Sequence, residues 1–244
     1  MRTDLLGALA CVEWTVSKFK SFDKRLAAWA NRNIEVIIRE LDFPSADNLV
    51  IAREKRPLSL KFSVEAGAYL NTIRSSLDIL ASSLSARNGK PENRDTNFPI
   101  FRSHQDMLDP LTGLEGKKWL SENQRAIIKA LEPYPGGNDS LVTLHKLDVM
   151  RKHHRLLDVV PSPAVVMISG VRSEHVTFPA RMGIGANGES LLAILSKDAS
   201  PGQIPAAFFV AFSEPGHYGN MPVVGALHDF ANTASRIIRR FDIP

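Results

Sequence analysis

Two stretches of roughly thirty residues carry an apolar side chain at every third or fourth step, a spacing that suits one face of a helix and nothing else. In the first, about residues 3–31, Leu5, Leu9, Val12, Val16, Phe19 and Leu26 share a face, with Asn31 and Asn33 as its stop. In the second, about 60–88, Phe62, Ala66, Tyr69, Ile73, Leu77, Leu80 and Leu84 form the stripe, and "RNGKP" ends it with Gly89 and Pro91. Any fold for this chain has to bury both stripes.

Between them, "IEVIIREL" and "NLVIAREKRP" are β-rich runs separated by the turn-forming "DFPSAD", so they predict a hairpin. Its charged edge, Arg53, Glu54, Lys55 and Arg56, is expected to be solvated. Residues 90–116 are loop-rich, anchored by the apolar "NFPIF". Two shorter helices are expected over 117–132 and 139–154, the first stopped by Pro133 and the second capped by Asp139 or Ser140. From 155 the texture turns to β in "HRLLDVV", "AVVMISGV", "EHVTFP", "ESLLAILSK" and "AAFFVAF". A closing amphipathic helix follows, with Val224, Leu227, Phe230, Ala231, Ala234, Ile237 and Ile238 on its apolar side.

The pattern predicts an α+β fold of a helical bundle, an antiparallel sheet and a C-terminal helix. It reads as a single domain over 1–244. A subdivision would set a mainly helical 1–154, with its hairpin near 34–57, against 155–244 with the sheet and last helix.

Composition narrows the partners. Hydrophobic residues make up 44% and charged residues 23%, which suits a soluble globular chain. A net charge of +4 permits nucleic acid as a partner without requiring it, and 7% aromatic residues leave few stacking platforms for single strands. The lone Cys11 excludes an intrachain disulfide and fits a cytoplasmic address. The opening "MRTDLLGALAC" has too short an apolar run for a signal peptide, and no stretch is long enough for a membrane span. No cofactor and no metal is implied. The narrow apolar seam of the first helix could serve a homo-oligomer.

Three motifs fail on context. "GIGANG", 183–188, has the spacing of a phosphate loop, yet a strand-like block follows where a helix is needed, so Asn187-Gly188 reads as a hairpin turn. His228-Asp229 reads as a helix-surface pair, and His217 sits in a glycine-rich turn that needs no functional reason.

One polar constellation stands out. Asn71, Arg74 and Asp78 fall on one face of the second long helix, apart from its leucine stripe, with Gly67 on the same face to admit a close neighbour. On the helix ending near 154, His145, Asp148 and Lys152 share a face, with Arg155 near the same line. His153, His154 and Arg155 sit at the helix end, where cations suit the dipole. If the two helices are neighbours, Arg74 can meet Asp148, and Asp78 can meet His154 or Arg155. Arg74, Asp78, Asp148 and His154 are then the candidate catalytic residues, and Asn71, His145, Lys152 and Arg155 the candidate binding residues. The same set also serves as a network that fixes helix register.

These residues carry a resemblance. "RSSLD" (74–78), "FPIF" (98–101), "LEPY" (131–134) and "KHHRLL" (152–157) occur in the order of the R-S-x-L-D, F-P-I-F, L-x-P-Y and D-K-H-R-x-L segments of an uncharacterised bacterial protein family. Lys152 and His153 stand where that family has Asp-Lys, while His154 and Arg155 match it. The resemblance covers about 70–160 and implies no established activity. A weaker one is to the HEPN ribonucleases, helical bundles that pair an arginine with a histidine a few residues later. Ile79 occupies the place of that histidine here, so the resemblance implies a metal-independent ribonuclease only if His154 acts with Arg74. The functional readings are therefore a non-enzymatic interaction or ligand-binding module, an RNA-binding protein or ribonuclease, and some other enzyme with its site on Arg74, Asp78, Asp148 and His154.

Overall fold

The long stripes do become helices. The computed structural model describes residues 1–40, 47–90, 96–179, 187–199, 202–213 and 218–242. A 3-10 turn at Thr3–Leu5 leads into α1 (Leu6–Asn33), and Ser59 caps α2 (Leu60–Arg87). In α1 the buried face is Leu5, Ala8, Leu9, Val12, Phe19, Phe22 and Leu26, whereas Val16 is exposed. The hundred-degree step explains the correction: Val16 lies beside the stripe, and Thr15 occupies the buried position by bonding its hydroxyl back to the Cys11 carbonyl at 2.7 Å. The expected stripe of α2 is buried, with Phe62 partly so.

A short α3 (His104–Leu108) and α4 (Glu122–Lys129) cross the loop-rich region. α4 is shorter than the 117–132 expected. Ser121 and Gln124 form a reciprocal capping box that starts the helix there, and residues 117–120 are left in turns. At the other end Glu132 takes a φ of +50°, which turns the chain out before Pro133. α5 (Asp139–His153) is capped by Asn138 rather than Asp139 or Ser140; the Asn138 carboxamide accepts from the Leu141 N–H at 3.1 Å. α6 (Val223–Arg239) closes the chain.

α2 is the hub of the helical part, touching α1, α5 and α6. Phe19 and Phe22 meet the Tyr69 ring edge-on, with centroids 5.8 and 5.4 Å apart, and Phe230 and Phe241 fill the α6 side. Each fully buried side chain of this size contributes about 1.5–3 kcal/mol of burial. The seam of α1 is thereby covered from within; Leu6, Trp14 and Val16 are what it leaves exposed.

The strands are antiparallel throughout. β1 (Ile34–Arg39) and β2 (Asn48–Glu54) form the expected hairpin, whose turn lies mostly outside the described residues. β2 also pairs with β5 (Glu189–Leu195), and β5 with β4 (Val176–Thr177), so one sheet of order β1-β2-β5-β4 joins early and late parts of the chain. Val50, Ala52, Leu192, Ala193 and Leu195 build a second core beneath it with Ala30 and Ile34.

β3 (Val159–Val166) pairs with β6 (Ala206–Phe212) as a separate ribbon. Two expected runs thus merge into one strand through Pro161 and Pro163. A two-stranded ribbon has an outer edge that needs no N–H, and the register shifts beside Pro163. "EHVTFP" contributes only Val176–Thr177 to a strand, after a 3-10 turn at Ser173–His175.

The charged edge of the hairpin is only partly solvated. Arg53 and Lys55 reach the Glu35 carboxylate at 2.6 and 3.3 Å, and Glu54 is half-buried. Most of "GIGANG" and all of His217 lie outside the described residues. Gly188 has a φ of +74° at the start of β5, so a strand and not a helix follows that motif. His228 and Asp229 are exposed on α6, where the His228 ring leans edge-on against Phe19 and Asp229 accepts from the Tyr218 hydroxyl.

Candidate functional site

α2 and α5 pack antiparallel, and the polar face predicted on each helix meets the other. Gly67 makes the approach close: a Cβ there would fall 2.5 Å from Arg151 Cδ, so the arginine stem lies directly over the glycine. One turn on, the Asn71 carboxamide donates to Asp148 Oδ1 at 2.9 Å. A further turn brings Arg74 to the level of His145, whose pKa its charge helps to lower.

Asp148 is only 2% exposed. A carboxylate that deep needs partners for both oxygens. Asn71 serves Oδ1, with Arg151 Nε 4.0 Å away, and Lys152 Nζ serves Oδ2 at 2.6 Å. The Asp148–Lys152 pair is the one expected from i,i+4 spacing.

Arg74 does not meet Asp148. At 5% exposure it pairs within its own helix, Nη1 to Asp78 Oδ1 at 2.7 Å. The pair then holds the loop that follows α2. Asp78 Oδ1 accepts the Phe98 N–H at 3.0 Å, and Arg74 Nη2 donates to the Phe98 carbonyl at 3.3 Å. Both backbone polar groups of a buried phenylalanine are thus satisfied by one ion pair. Arg74 Nε has no partner among the described residues.

His154 and Arg155 fall elsewhere. His154 is the exposed C-cap of α5, and its N–H and that of Arg155 both return to the Met150 carbonyl, at 2.9 and 3.2 Å. At 1.5 Å per residue the antiparallel register sets His154 about 13 Å further along the axis than the level of Arg74. Asp78 therefore meets neither His154 nor Arg155. The histidine beside the charges is His145, held below its usual 6.5 by burial and then by Arg74, against the opposing pull of Asp148 and Asp78. Its hold on a proton is thereby weakened in a seam of paired charges.

Three of the four segments quoted from the sequence are linked by contacts, and the fourth reaches α2 one turn before them. Arg74 and Asp78 grip Phe98; the Phe101 N–H donates to the Pro133 carbonyl at 2.8 Å; Lys152 returns to Asp148 and so to Asn71; Leu157 is fully buried. Their shared work is to tie loop and helices onto α2.

Beyond Asp78 the same face of α2 opens to solvent, past the residues that the sequence singled out. Ser75, Asp78, Ile79, Ser82, Ser83 and Ala86 line one wall of an open furrow of about 1050 Å³, and Arg2, Thr3, Asp4 and Arg87 complete it. Arg87 Nε donates to Asp4 Oδ2 at 2.9 Å and its Nη1 to the Phe241 carbonyl at 3.1 Å, while Ser83 Oγ donates to the Asp4 carbonyl at 2.8 Å. These bonds fix the N-terminal turn as a wall. The available signal was the run of short residues at helical spacing, which leaves room where a leucine would fill it.

Among the described residues no group of three or more His, Cys, Asp or Glu could hold a metal ion, and no helix is long and apolar enough to cross a membrane. Comparison with protein-family models, with curated proteins and with solved structures returns no match for this chain.

Proposed function

We propose that this protein is a ligand-binding module, and that the furrow beside α2 receives a small polar molecule. The observation that carries the reading is the furrow's wall: short hydroxyl side chains, a carboxylate and Arg87 on a long helix, facing Arg2 of a braced N-terminal turn, in a space of ligand size. The α2–α5 seam supports it from behind. Arg74 and Asp148 spend their hydrogen bonds on Phe98, Asp78, Asn71 and Lys152, which suits a scaffold better than a reacting centre. Arg74 and His154 are too far apart to act on one phosphate, so ribonuclease chemistry is left out of the proposal.

The test is a thermal-shift screen of sugars, nucleosides and organic acids on the parent chain and on Ser82→Trp, which fills the furrow. A compound that raises Tm in the parent and not in the variant supports the reading. No hit, or a hit that acts equally on both, removes it. Labelled single-stranded RNA in EDTA is run alongside; retention that falls steeply with salt would replace the small ligand by nucleic acid.

A further inference from the structure

A second concavity lies at the other end of α2, where that helix begins against the end of β2 and the start of β3. It is a notch of about 430 Å³, and Glu54, Arg56, Leu60, Ser63 and Asp158 are among its lining residues. Three features there are open to a ligand.

The first is Ser63. It is 5% exposed, lines the notch, and its hydroxyl has no hydrogen-bond partner among the described residues. The rest of the residue is covered, so the hydroxyl is free to bond a ligand atom in the notch. The second is the start of α2. Ser59 accepts from the Lys61 N–H at 3.4 Å, longer than a good bond, and the Leu60 N–H donates to nothing among the described residues. The Phe62 N–H donates to the Ser59 carbonyl at 3.0 Å, which leaves the Leu60 N–H to favour an anion at the start of this 28-residue helix. Arg56, exposed on the rim, adds a cation.

The third is Glu54. It is half-buried, and no cation pairs with it among the described residues; Lys55, its neighbour, is committed to Glu35. Burial alone raises its pKa. A carboxylate in that setting lacks a positive partner. Inorganic phosphate would satisfy the helix end but would be set against Glu54, so a plain anion is the wrong occupant.

We propose that this notch binds a small zwitterion of the α-amino-acid kind, its carboxylate at the start of α2 beside Ser63 and Arg56, its ammonium at Glu54. The site is separate from the furrow and does not depend on it.

The experiment is isothermal titration of the purified chain with the standard amino acids, and with acetate and ethylamine as half-probes. An amino acid should bind with a Kd near or below about 1 mM, and each half-probe should bind at least about tenfold more weakly. Glu54→Gln, which keeps the shape and removes the charge, should weaken the amino acid by about tenfold or more. Ser63→Ala should weaken it less, and Ser82→Trp in the furrow should leave it unchanged. If Ser63→Ala impairs folding, the isosteric Glu54→Gln carries the test. The proposal is overturned if no amino acid binds at millimolar concentration, if Glu54→Gln binds as tightly as the parent, or if acetate matches the amino acid.

Discussion

The middle of α2 and its N-terminal end treat buried polar groups in opposite ways. In the middle, Asp148 gives both oxygens to partners and the Arg74–Asp78 pair takes up both backbone groups of Phe98, so that every charge is paired although Arg74 Nε and Arg151 Nε have no acceptor among the described residues. At the N-terminal end, Ser63 is as buried as Arg74 yet makes no hydrogen bond among the described residues, and Glu54 has no cation. A network of paired charges holds its geometry and has little left to offer a ligand; a carboxylate without a cation and a hydroxyl without a bond have more. The same helix therefore has a part built to hold and a part open to receive.

Removing Arg74 should break the first half of that contrast. Arg74→Ala leaves the Phe98 carbonyl short of a donor and Asp78 without its cation. Asp78 stays partly exposed, which moderates the loss, so the expected destabilisation is about 2–4 kcal/mol. Urea titration would read it as a lower midpoint with an unchanged slope. A loss within a few tenths of a kcal/mol would mean that the Phe98 loop holds its place without the clamp, and the idea of a saturated scaffold would fail.

The sequence made one half of this contrast visible and hid the other. Periodicity placed Asn71, Arg74 and Asp78 on one face of α2, and His145, Asp148 and Lys152 on one face of α5, and the structure joins those faces. It could not show that the helices run antiparallel in a register that sends His154 away and brings His145 in, because register is decided by where Gly67 lets Arg151 lie. Nor could it show that Arg74 prefers Asp78 to Asp148, a choice made by a loop that needs both backbone groups of Phe98 bonded. Local chemistry misled in two other places. The Ser121–Gln124 capping box starts α4 later than its apolar run suggests, and the prolines of β3 look like a break until an unpaired ribbon edge makes their missing N–H harmless. Glu54 and Ser63 were unreadable because nothing in the order of residues says that the end of β2 and the start of β3 flank the start of α2.

The second half of the contrast is sharpened by pH. Burial raises Glu54 above its ordinary 4.5, so the folded chain holds that proton more tightly than the unfolded chain does. Its contribution to stability is complete below the unfolded value and is lost as pH rises through the folded one. Glu54→Gln has no such loss. Against the parent, the variant should gain stability between mildly acid and neutral pH, by at most about 1 kcal/mol because the carboxyl is only partly withdrawn from water. Denaturation midpoints of both chains across that range would show it. A difference that does not change with pH would mean Glu54 already has a partner, and the zwitterion notch would lose its reason.

The smallest effect belongs to His145, which tests how tightly the seam is closed. Its pKa lies below the usual 6.5, through burial first and Arg74 second, with Asp148 and Asp78 pulling the other way. The sign is therefore opposite to that of Glu54. Just below 6.5 the unfolded chain takes up a proton that the folded imidazole refuses, so stability falls with pH until the folded pKa is reached and is constant beyond it. His145→Gln should remove that slope while leaving stability at neutral pH nearly unchanged, a difference under about 1 kcal/mol after solvent screening of a half-exposed ring. An NMR titration of the imidazole proton gives the direct reading. In Arg74→Met, if it folds, the midpoint should move up, since the second cause of its depression has gone. A midpoint that ignores Arg74 would separate the two helices electrostatically, and the seam would then be two local networks that merely touch.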